Sequence, residues 1–541
     1  MSSGFRLTPF DPNGSFRPLE GGDELRRLAV QGAGATVLSG VIVLLVQIIG
    51  VVLLARLLAP RDFGVVAMVT TVSLFLSNFG LNGFTEAVLQ REEINHALAS
   101  NLFWINLSVC VVLTIGFAEA GSLLARFYRD PLVSRIAAWV SLTIVLTSVS
   151  VIHLALLKRA MRFPAASANS IVARCASLVV SIILGWAGWG YWALVAGAVV
   201  LPLAQSIGGW YLCRWVPGLP RRAVGTGSMV RFAMSVYGSF SLGFFTQNMD
   251  NLLVGWRFGA PALGFYKKAY DLFALSGSQL TAPLTNVAVS ALSRVKQGSI
   301  EYRRHILSAL ALMAFVGMGV GTDLTLVGKD VIRLLLGAKW GESGSIFAFF
   351  GPGIGIMVLY YSHGWIHLSI GRADRRLRWA VIEVTVTGLL FLMALPWGPK
   401  GIAAAWTASF WILTLPAFWY AGRPIRLGIG SVVAAVWKYF LASLLAGCTC
   451  FVVVQKFPPL LEMTGPMGAF TRLVTISALC GSLYLGALIL LYRGYAPLLQ
   501  VAHLLRDMLP RSRTRGQSLS DRGAVAELAT AREEGCVTSA S

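Results

Sequence analysis

The chain has 541 residues, of which 56% are hydrophobic and only 13% charged. An ordinary soluble protein is about 45–50% apolar and about 25% charged. Too few charged side chains are present here to cover a soluble surface, which argues against a soluble enzyme, a disordered protein and a disulfide scaffold. The net charge is +21, from 45 Lys and Arg against 24 Asp and Glu. In a membrane protein such an excess sits in cytoplasmic loops against anionic headgroups, and no nucleic-acid-binding motif accompanies it. The expected class is an all-α polytopic membrane protein.

Taken in chain order, Met1 to Asp23 is polar and rich in Gly and Pro, without the apolar core of a cleavable signal peptide. A helix needs about 20 apolar residues to cross a bilayer. Breaking the chain at charged or Gly/Pro-rich points gives fourteen candidate spans: 35–58, 62–84, 99–121, 133–157, 166–187, 189–213, 232–256, 262–291, 304–327, 344–370, 378–397, 400–422, 432–455 and 468–492. Only Gly188 and its neighbours separate the fifth and sixth, so a tight helical hairpin is expected there. From Arg511 to Ser541 the chain is polar and free of aromatics, the composition of a disordered tail.

Basic residues set the orientation. With a cytoplasmic N-terminus, the inside segments hold 29 of the 45 Lys and Arg, which places both termini inside and requires an even number of spans. The organisation read from this is a cytoplasmic arm (1–31), an N-lobe of six spans (32–216), a cytoplasmic linker (217–231), a C-lobe of six spans (232–425), an extra pair of spans (426–492) and a cytoplasmic tail (493–541).

Sliding the chain over itself by 200 residues aligns Ser39 with Ser239, Gln47 with Gln247, Leu53 with Leu253 and Gly64 with Gly264. The match falls on the first and seventh spans. An even offset gives both halves the same topology, a parallel repeat about an axis along the membrane normal, as in two-lobed transporters with a central cavity.

Charges inside spans are costly and usually face a bundle interior or an aqueous cavity. Arg174 lies midway along the fifth span. Asp250 lies in the polar run Thr246-Gln247-Asn248-Met249-Asp250-Asn251, and Lys267, Lys268 and Asp271 lie in the eighth span. Glu383 is near the start of the eleventh. The functional reading makes the cations anion-binding groups, and Asp250, Asp271 and Glu383 ion-coupling groups. The bland readings are an i,i+4 pair of Lys267 with Asp271, lysines snorkelling to the headgroups, and Glu383 paired with a neighbouring span. Thr71, Asn78, Asn82 and Glu86 form a broken polar stripe on one face of the second span. They act either as interhelical hydrogen-bond glue or as lining for an aqueous path. His363 and His367 are four apart, beside Tyr360, Tyr361 and Trp365, but two His cannot complete a zinc site. Seven cysteines lack metal spacing, and no phosphate loop of the Walker type is present. No cofactor or metal is expected.

Several stretches resemble the Wzx-type polysaccharide exporters, in particular the colanic-acid and succinoglycan exporter branch. They are FGLNGFTEAVLQ (Phe79 to Gln90), FYRDPLVSRIAAWV with LALLKRAMRF (Leu154 to Phe163), QNMDNLLVGWRFGAPALGFYKKAYDL (Gln247 to Leu272), ALSRV (Ala291 to Val295) and LLLGAKW (Leu334 to Trp340). The resemblance spans roughly residues 30–425. It implies a two-lobed fold, alternating access, and flipping of undecaprenyl-pyrophosphate-linked sugar units across the bacterial inner membrane for exopolysaccharide or lipopolysaccharide assembly. Implied partners are that glycan lipid, membrane lipids, and a polysaccharide polymerase and co-polymerase. The family's Asp-Asn pair is matched by Asp250-Asn251. The sequence departs from the pattern at Trp256, where a basic residue often stands and Arg257 follows one place on, and at Lys267-Lys268, where small or polar residues are commoner. Such a cargo fits the candidates: cations for the pyrophosphate, and Asn78, Asn82 and Gln247 for sugar hydroxyls. Arg suits phosphate because its planar fork binds in two places. The competing readings are a cation-coupled drug antiporter of the same superfamily, an integral-membrane polymerase or ligase, and an assembly scaffold. An antiporter would show acidic groups in the N-lobe, where the buried candidate is Arg174. An enzyme would need a large outside loop, and the longest such segment is about Leu326 to Glu342.

Overall fold

The computed structural model describes residues 9–11, 13–16, 22–91, 93–221, 226–295, 298–463 and 465–495. They form helices joined by short turns: α1 (Gly22–Leu57), α2 (Pro60–Gln90), α3 (His96–Tyr128), α4 (Leu132–Val140), α5 (Leu142–Arg159), α6 (Phe163–Trp186), α7 (Tyr191–Cys213) and α8 (Thr226–Arg294). After these come α9 (Ile300–Leu336), α10 (Gly341–Tyr361), α11 (His363–Ser369), α12 (Ala373–Ala394), α13 (Gly398–Gly422), α14 (Ile429–Gln455), α15 (Pro458–Glu462) and α16 (Gly465–Tyr492). The chain divides into two compact units, Met1–Tyr484 and Leu485–Ser541. Among described residues the second unit holds the end of α16 and the few residues after it.

Among the described residues, eleven helical segments are long and apolar enough to cross a membrane, rather than the fourteen expected. Two differences account for the count. One 52-residue segment, Asp374–Ile425, contains both α12 and α13. The 69-residue α8 is absent from the eleven. Its polar run at Gln247–Asn251 and its charges at Arg257, Lys267, Lys268 and Asp271 dilute its apolar character. It also breaks once, at Gly259, whose φ of 79° lies in the left-handed region that glycine enters without a Cβ clash.

Helix ends follow local chemistry. Pro60 opens α2, and the Asp62 carboxylate accepts the Ala59 N–H at 2.9 Å, satisfying a donor the first turn leaves free. Asn95 caps α3 and Ser299 caps α9 through their side-chain oxygens. Gly188 and Gly190, both at positive φ, close the expected tight hairpin between α6 and α7.

Polar contacts sort the turns into two ends. At one end Arg61 of α2 pairs with Asp130 in the α3–α4 turn at 3.8 Å. Asp62 lies against Gly190 of the α6–α7 turn. Lys339, in a 3-10 turn after α9, reaches the end of α1, and Glu342 pairs with Lys400 of α13 at 3.1 Å. At the other end Arg159 donates to the carbonyls of Val88 and Arg91, Arg221 meets Asn101, and Arg303 donates to the Arg426 carbonyl.

Helices α2 and α8 cross in intimate contact. A Cβ on Gly64 would strike the Ala260 carbonyl, and a Cβ on Gly264 would strike the Pro60 carbonyl. The two contacts are the same one with the helices exchanged, since each partner stands 200 residues from its counterpart.

Candidate functional site

Against that crossing lies a cavity of about 800 Å³, walled by α1, α8, the end of α9, α10 and α13. Its polar lining comes mainly from α8. Lys267 and Lys268 are adjacent, and one helical turn on Asp271 sits between their ammonium groups, at 2.8 Å from Lys267 and 3.7 Å from Lys268. Spacings of three and four residues bring these side chains onto one helix face. The Lys268 ammonium also lies 4.2 Å from the centre of the Phe63 ring of α2. Two cations against one carboxylate leave the group with net charge +1. Three glutamines add amide donors and acceptors: Gln47 from α1, and Gln247 and Gln279 from α8. Tyr270, Tyr361 and Trp406 supply aromatic faces. The set can neutralise an anion, hydrogen-bond hydroxyls and stack against sugar rings.

The sequence candidates separate into groups. Gln247, Lys267, Lys268 and Asp271 share the cavity. Asp250 lies behind its wall, fully buried. There the Tyr266 hydroxyl donates to its carboxylate at 2.7 Å, the Trp406 indole N–H at 2.9 Å and the Asn251 backbone N–H at 2.7 Å. Because Trp406 also lines the cavity, Asp250 fixes the orientation of one of its aromatic walls. The pairing of Lys267 with Asp271, read from sequence as an alternative to cavity lining, coexists with it.

The remaining candidates lie elsewhere. Arg174 is exposed on α6 and does not line the cavity. Arg257 is exposed at the Gly259 break, over the ring of its neighbour Phe258. Asn78 is half-buried and donates to the Leu74 carbonyl at 2.7 Å; the side chain of Asn82 lies outside the described residues. Thr71 is buried and bonds back to the Ala67 carbonyl. Glu383 is half-buried on α12 and interacts with the Tyr360 hydroxyl. His363 and His367 are buried among Tyr360, Trp379 and Tyr420, and no cluster able to hold a metal occurs among the described residues.

Gln47, Gln279, Tyr270, Tyr361 and Trp406 were not among the sequence candidates. A signal existed for Gln47, the 200-residue partner of Gln247, and both glutamines face one cavity.

Beyond Val52 and Leu336, where the lining from α1 and α9 ends, a latch ties the end of α1 to the turn after α9. The Lys339 ammonium donates to the carbonyls of Arg56 at 3.0 Å and Leu58 at 2.7 Å, at the end of α1. Trp340, fully buried, donates from its indole to the Ala55 carbonyl at 2.9 Å and packs edge-on to Phe63 of α2 and Phe265 of α8. Arg56 returns a bond to the Leu334 carbonyl at 2.9 Å. The orphan carbonyls of a helix C-terminus attract cations, and the lysine meets that need from a different helix.

A family model described as "Polysaccharide biosynthesis protein" matches residues 53–345. Among curated relatives, the teichuronic acid biosynthesis protein TuaB of Bacillus subtilis strain 168 is 24% identical, over 78% of this chain and 88% of that protein. The succinoglycan biosynthesis transport protein ExoT of Rhizobium meliloti strain 1021 is 21% identical, over 67% and 73%. The lipopolysaccharide biosynthesis protein WzxC of Escherichia coli K12 is 19% identical, over 59% and 65%. Among solved structures, the lipid II flippase MurJ in an inward closed conformation aligns with TM-score 0.68 at 13% identity, over 86% of this chain and 99% of that one. An inward-facing MATE family multidrug resistance transporter of the MOP superfamily aligns at 0.56 and 14% identity, over 71% and 94%. At such identities the structural matches speak for the fold: an all-α multi-pass membrane fold like that of MurJ and the MATE transporter.

Proposed function

Since the matching family model spans more than half of the chain, the chain belongs to the polysaccharide biosynthesis protein family, and we propose that it flips undecaprenyl-pyrophosphate-linked oligosaccharide units between leaflets. The observation that carries this reading is the cavity holding Lys267, Lys268 and Asp271 beside Gln47, Gln247 and Gln279. A pyrophosphate and its glycan cannot cross about 30 Å of hydrocarbon unaided. A cationic, amide-rich cavity replaces water for the headgroup while the prenyl tail stays in lipid. The names of ExoT as a transport protein and MurJ as a lipid II flippase point the same way. A cavity with net positive charge suits a cationic drug poorly, which disfavours the antiporter reading.

The architecture we propose is fourteen spans, counting α8 as two and Asp374–Ile425 as two, in two six-span lobes related by the 200-residue repeat, with α14 and α16 as an added pair. The reciprocal glycine contacts and the two equivalent glutamines support it. Alternating access then proceeds by release of the Lys339–Trp340 latch. We place the chain in the bacterial inner membrane with both termini cytoplasmic, which puts the latch on the periplasmic side. Polymerase and co-polymerase are the proposed partners downstream.

The test is a deletion strain complemented with variants. Loss of the protein should strand the lipid-linked unit on the cytoplasmic leaflet. Lys267→Gln with Lys268→Gln should fail to restore export at normal protein level. Full export by that double variant would remove the anion site from the cavity.

A further inference from the structure

A second cavity, of about 600 Å³, lies apart from the first, between α9, α14 and α16. Its charged lining is Lys329, Asp330 and Arg333 from α9 and Arg472 from α16. Arg472 and Asp330 are already engaged: the guanidinium Nε donates to both carboxylate oxygens at 3.1 Å, and the pair is mostly buried. Lys329 and Arg333, four apart on one helix face, are exposed and meet no carboxylate among the described residues. One fixed ion pair therefore floors a site with two uncompensated cations.

Depth and surroundings say what such a site takes. At about 1.5 Å per residue, Lys329 and Arg333 lie roughly 10 and 5 Å short of the end of α9, and Arg472 roughly 10 Å inside the start of α16. With its 37 residues α9 is about 55 Å long and overhangs a bilayer of about 40–45 Å including its polar zones, which brings these positions to headgroup depth. An apolar groove of about 460 Å³ continues from it, sharing Leu326 and Phe451 and running past Met318, Trp411, Phe440 and Leu444. From Leu326 to Met318 the groove follows α9 for about 12 Å, enough for much of one acyl chain.

The geometry points to a binding site for an anionic phospholipid, its phosphate held by Lys329 and Arg333 over the Arg472–Asp330 pair and one acyl chain laid in the adjoining groove. The site is independent of the cargo cavity and lies at the latch end of the molecule, since α9 leads directly into Lys339. A free phosphate would satisfy the cations and leave the groove unused. A zwitterionic lipid would fill the groove and leave the charge uncompensated. Cations near an anionic surface each contribute roughly 1 kcal/mol, which for two sets a preference of about tenfold or more.

The experiment measures lipid retention by native mass spectrometry on the full-length protein in detergent, titrated with phosphatidylglycerol, phosphatidylcholine or inorganic phosphate. Phosphatidylglycerol should bind at least about tenfold more tightly than phosphatidylcholine. Lys329→Gln with Arg333→Gln should abolish that preference while elution on size exclusion stays unchanged, because neither charge has an ion-pair partner among the described residues. Leu444→Trp, which fills the groove, should weaken long-chain phosphatidylglycerol and leave a dihexanoyl analogue unaffected. Lys267→Gln with Lys268→Gln should leave the preference intact, so failure of the cargo assignment reads separately. Equal binding of the two lipids, an undiminished preference in the Lys329/Arg333 variant, or full displacement of the lipid by millimolar phosphate would overturn the proposal.

Discussion

Lys339→Ala offers the sharpest test of the proposal that the latch holds its end of the cavity shut. The ammonium makes two charge-assisted bonds, to the Arg56 and Leu58 carbonyls at 3.0 and 2.7 Å. Bonds to charged groups contribute about 1.5–3 kcal/mol each when desolvated. Lys339 is exposed, so solvent screening lowers this to about 0.5–1 kcal/mol per bond. The substitution should therefore cost the closed state about 1–2 kcal/mol, a factor of roughly 5–30 in the opening equilibrium. The state with this end open makes neither bond and loses nothing. In a background with native cysteines replaced by serine, Gln47→Cys reports from the cavity wall. Its labelling by an impermeant maleimide added on the latch side should accelerate by roughly 5–30-fold in Lys339→Ala, with folded protein unchanged. An unchanged labelling rate would show that the latch does not hold that end shut. Trp340→Ala should act in the same direction but more severely, because truncating a fully buried Trp costs about 3–5 kcal/mol, and part of the protein should be lost to misfolding.

Gly64→Leu and Gly264→Leu should each reduce monodisperse protein in fluorescence-detected size exclusion, since either side chain strikes a carbonyl of the partner helix; Gly34→Ala, with open space around it, should not. Asp271→Asn removes the anion that lies between two ammoniums, so it should tighten binding of inorganic pyrophosphate while slowing export, measured by isothermal titration and by polysaccharide output. Weaker binding in that variant would show that Asp271 organises the lysines rather than competing with the ligand. Arg174→Ala should insert and export normally, because its side chain is exposed and away from the cavity; lost export at normal protein level would return Arg174 to the cargo path. Asp130→Cys and Lys400→Cys should label from one side of the membrane and Arg221→Cys from the other, as the grouping of turns by contacts requires.

Most of the membrane-spanning pattern was legible because apolar length is a local property. The limits read at 166–187 and 189–213 lie within three residues of α6 and α7. Helix α8 was harder. The polar residues with which it lines the cavity also lower its apolar character, so the helix that contributes most of the polar lining is the least typical span. The cavity lysines and Asp271 were visible because they are neighbours on one helix. Trp406 was not, because its link to Asp250 bridges 156 residues, and nothing in the local pattern WTASFWILTL distinguishes that indole from Trp411, which faces the groove beside α14.

Asp250 shows why an intramembrane charge has to be read with its donors. The rule that such charges face water or a partner is satisfied by one hydroxyl, one indole and one backbone N–H donor, with Lys267 close enough to act on the carboxylate through its charge while pairing directly with Asp271. Tyr266 lies one residue before Lys267 and Trp406 lines the cavity, so the carboxylate ties the cationic stretch of α8 to its aromatic wall on α13. Asn251, beside it, is equally buried and leaves its side-chain oxygen without a partner among the described residues. The Asp-Asn pair therefore places one satisfied and one unsatisfied acceptor behind the aromatic wall of the cavity. Asp250→Asn replaces an anionic acceptor with an amide that can satisfy only part of this donor set. The first consequence should be a shifted Trp406 and weakened cargo binding, read as a changed tryptophan emission on adding ligand, before any change in the amount of folded protein. Unchanged emission together with unchanged binding would sever Asp250 from the cavity wall.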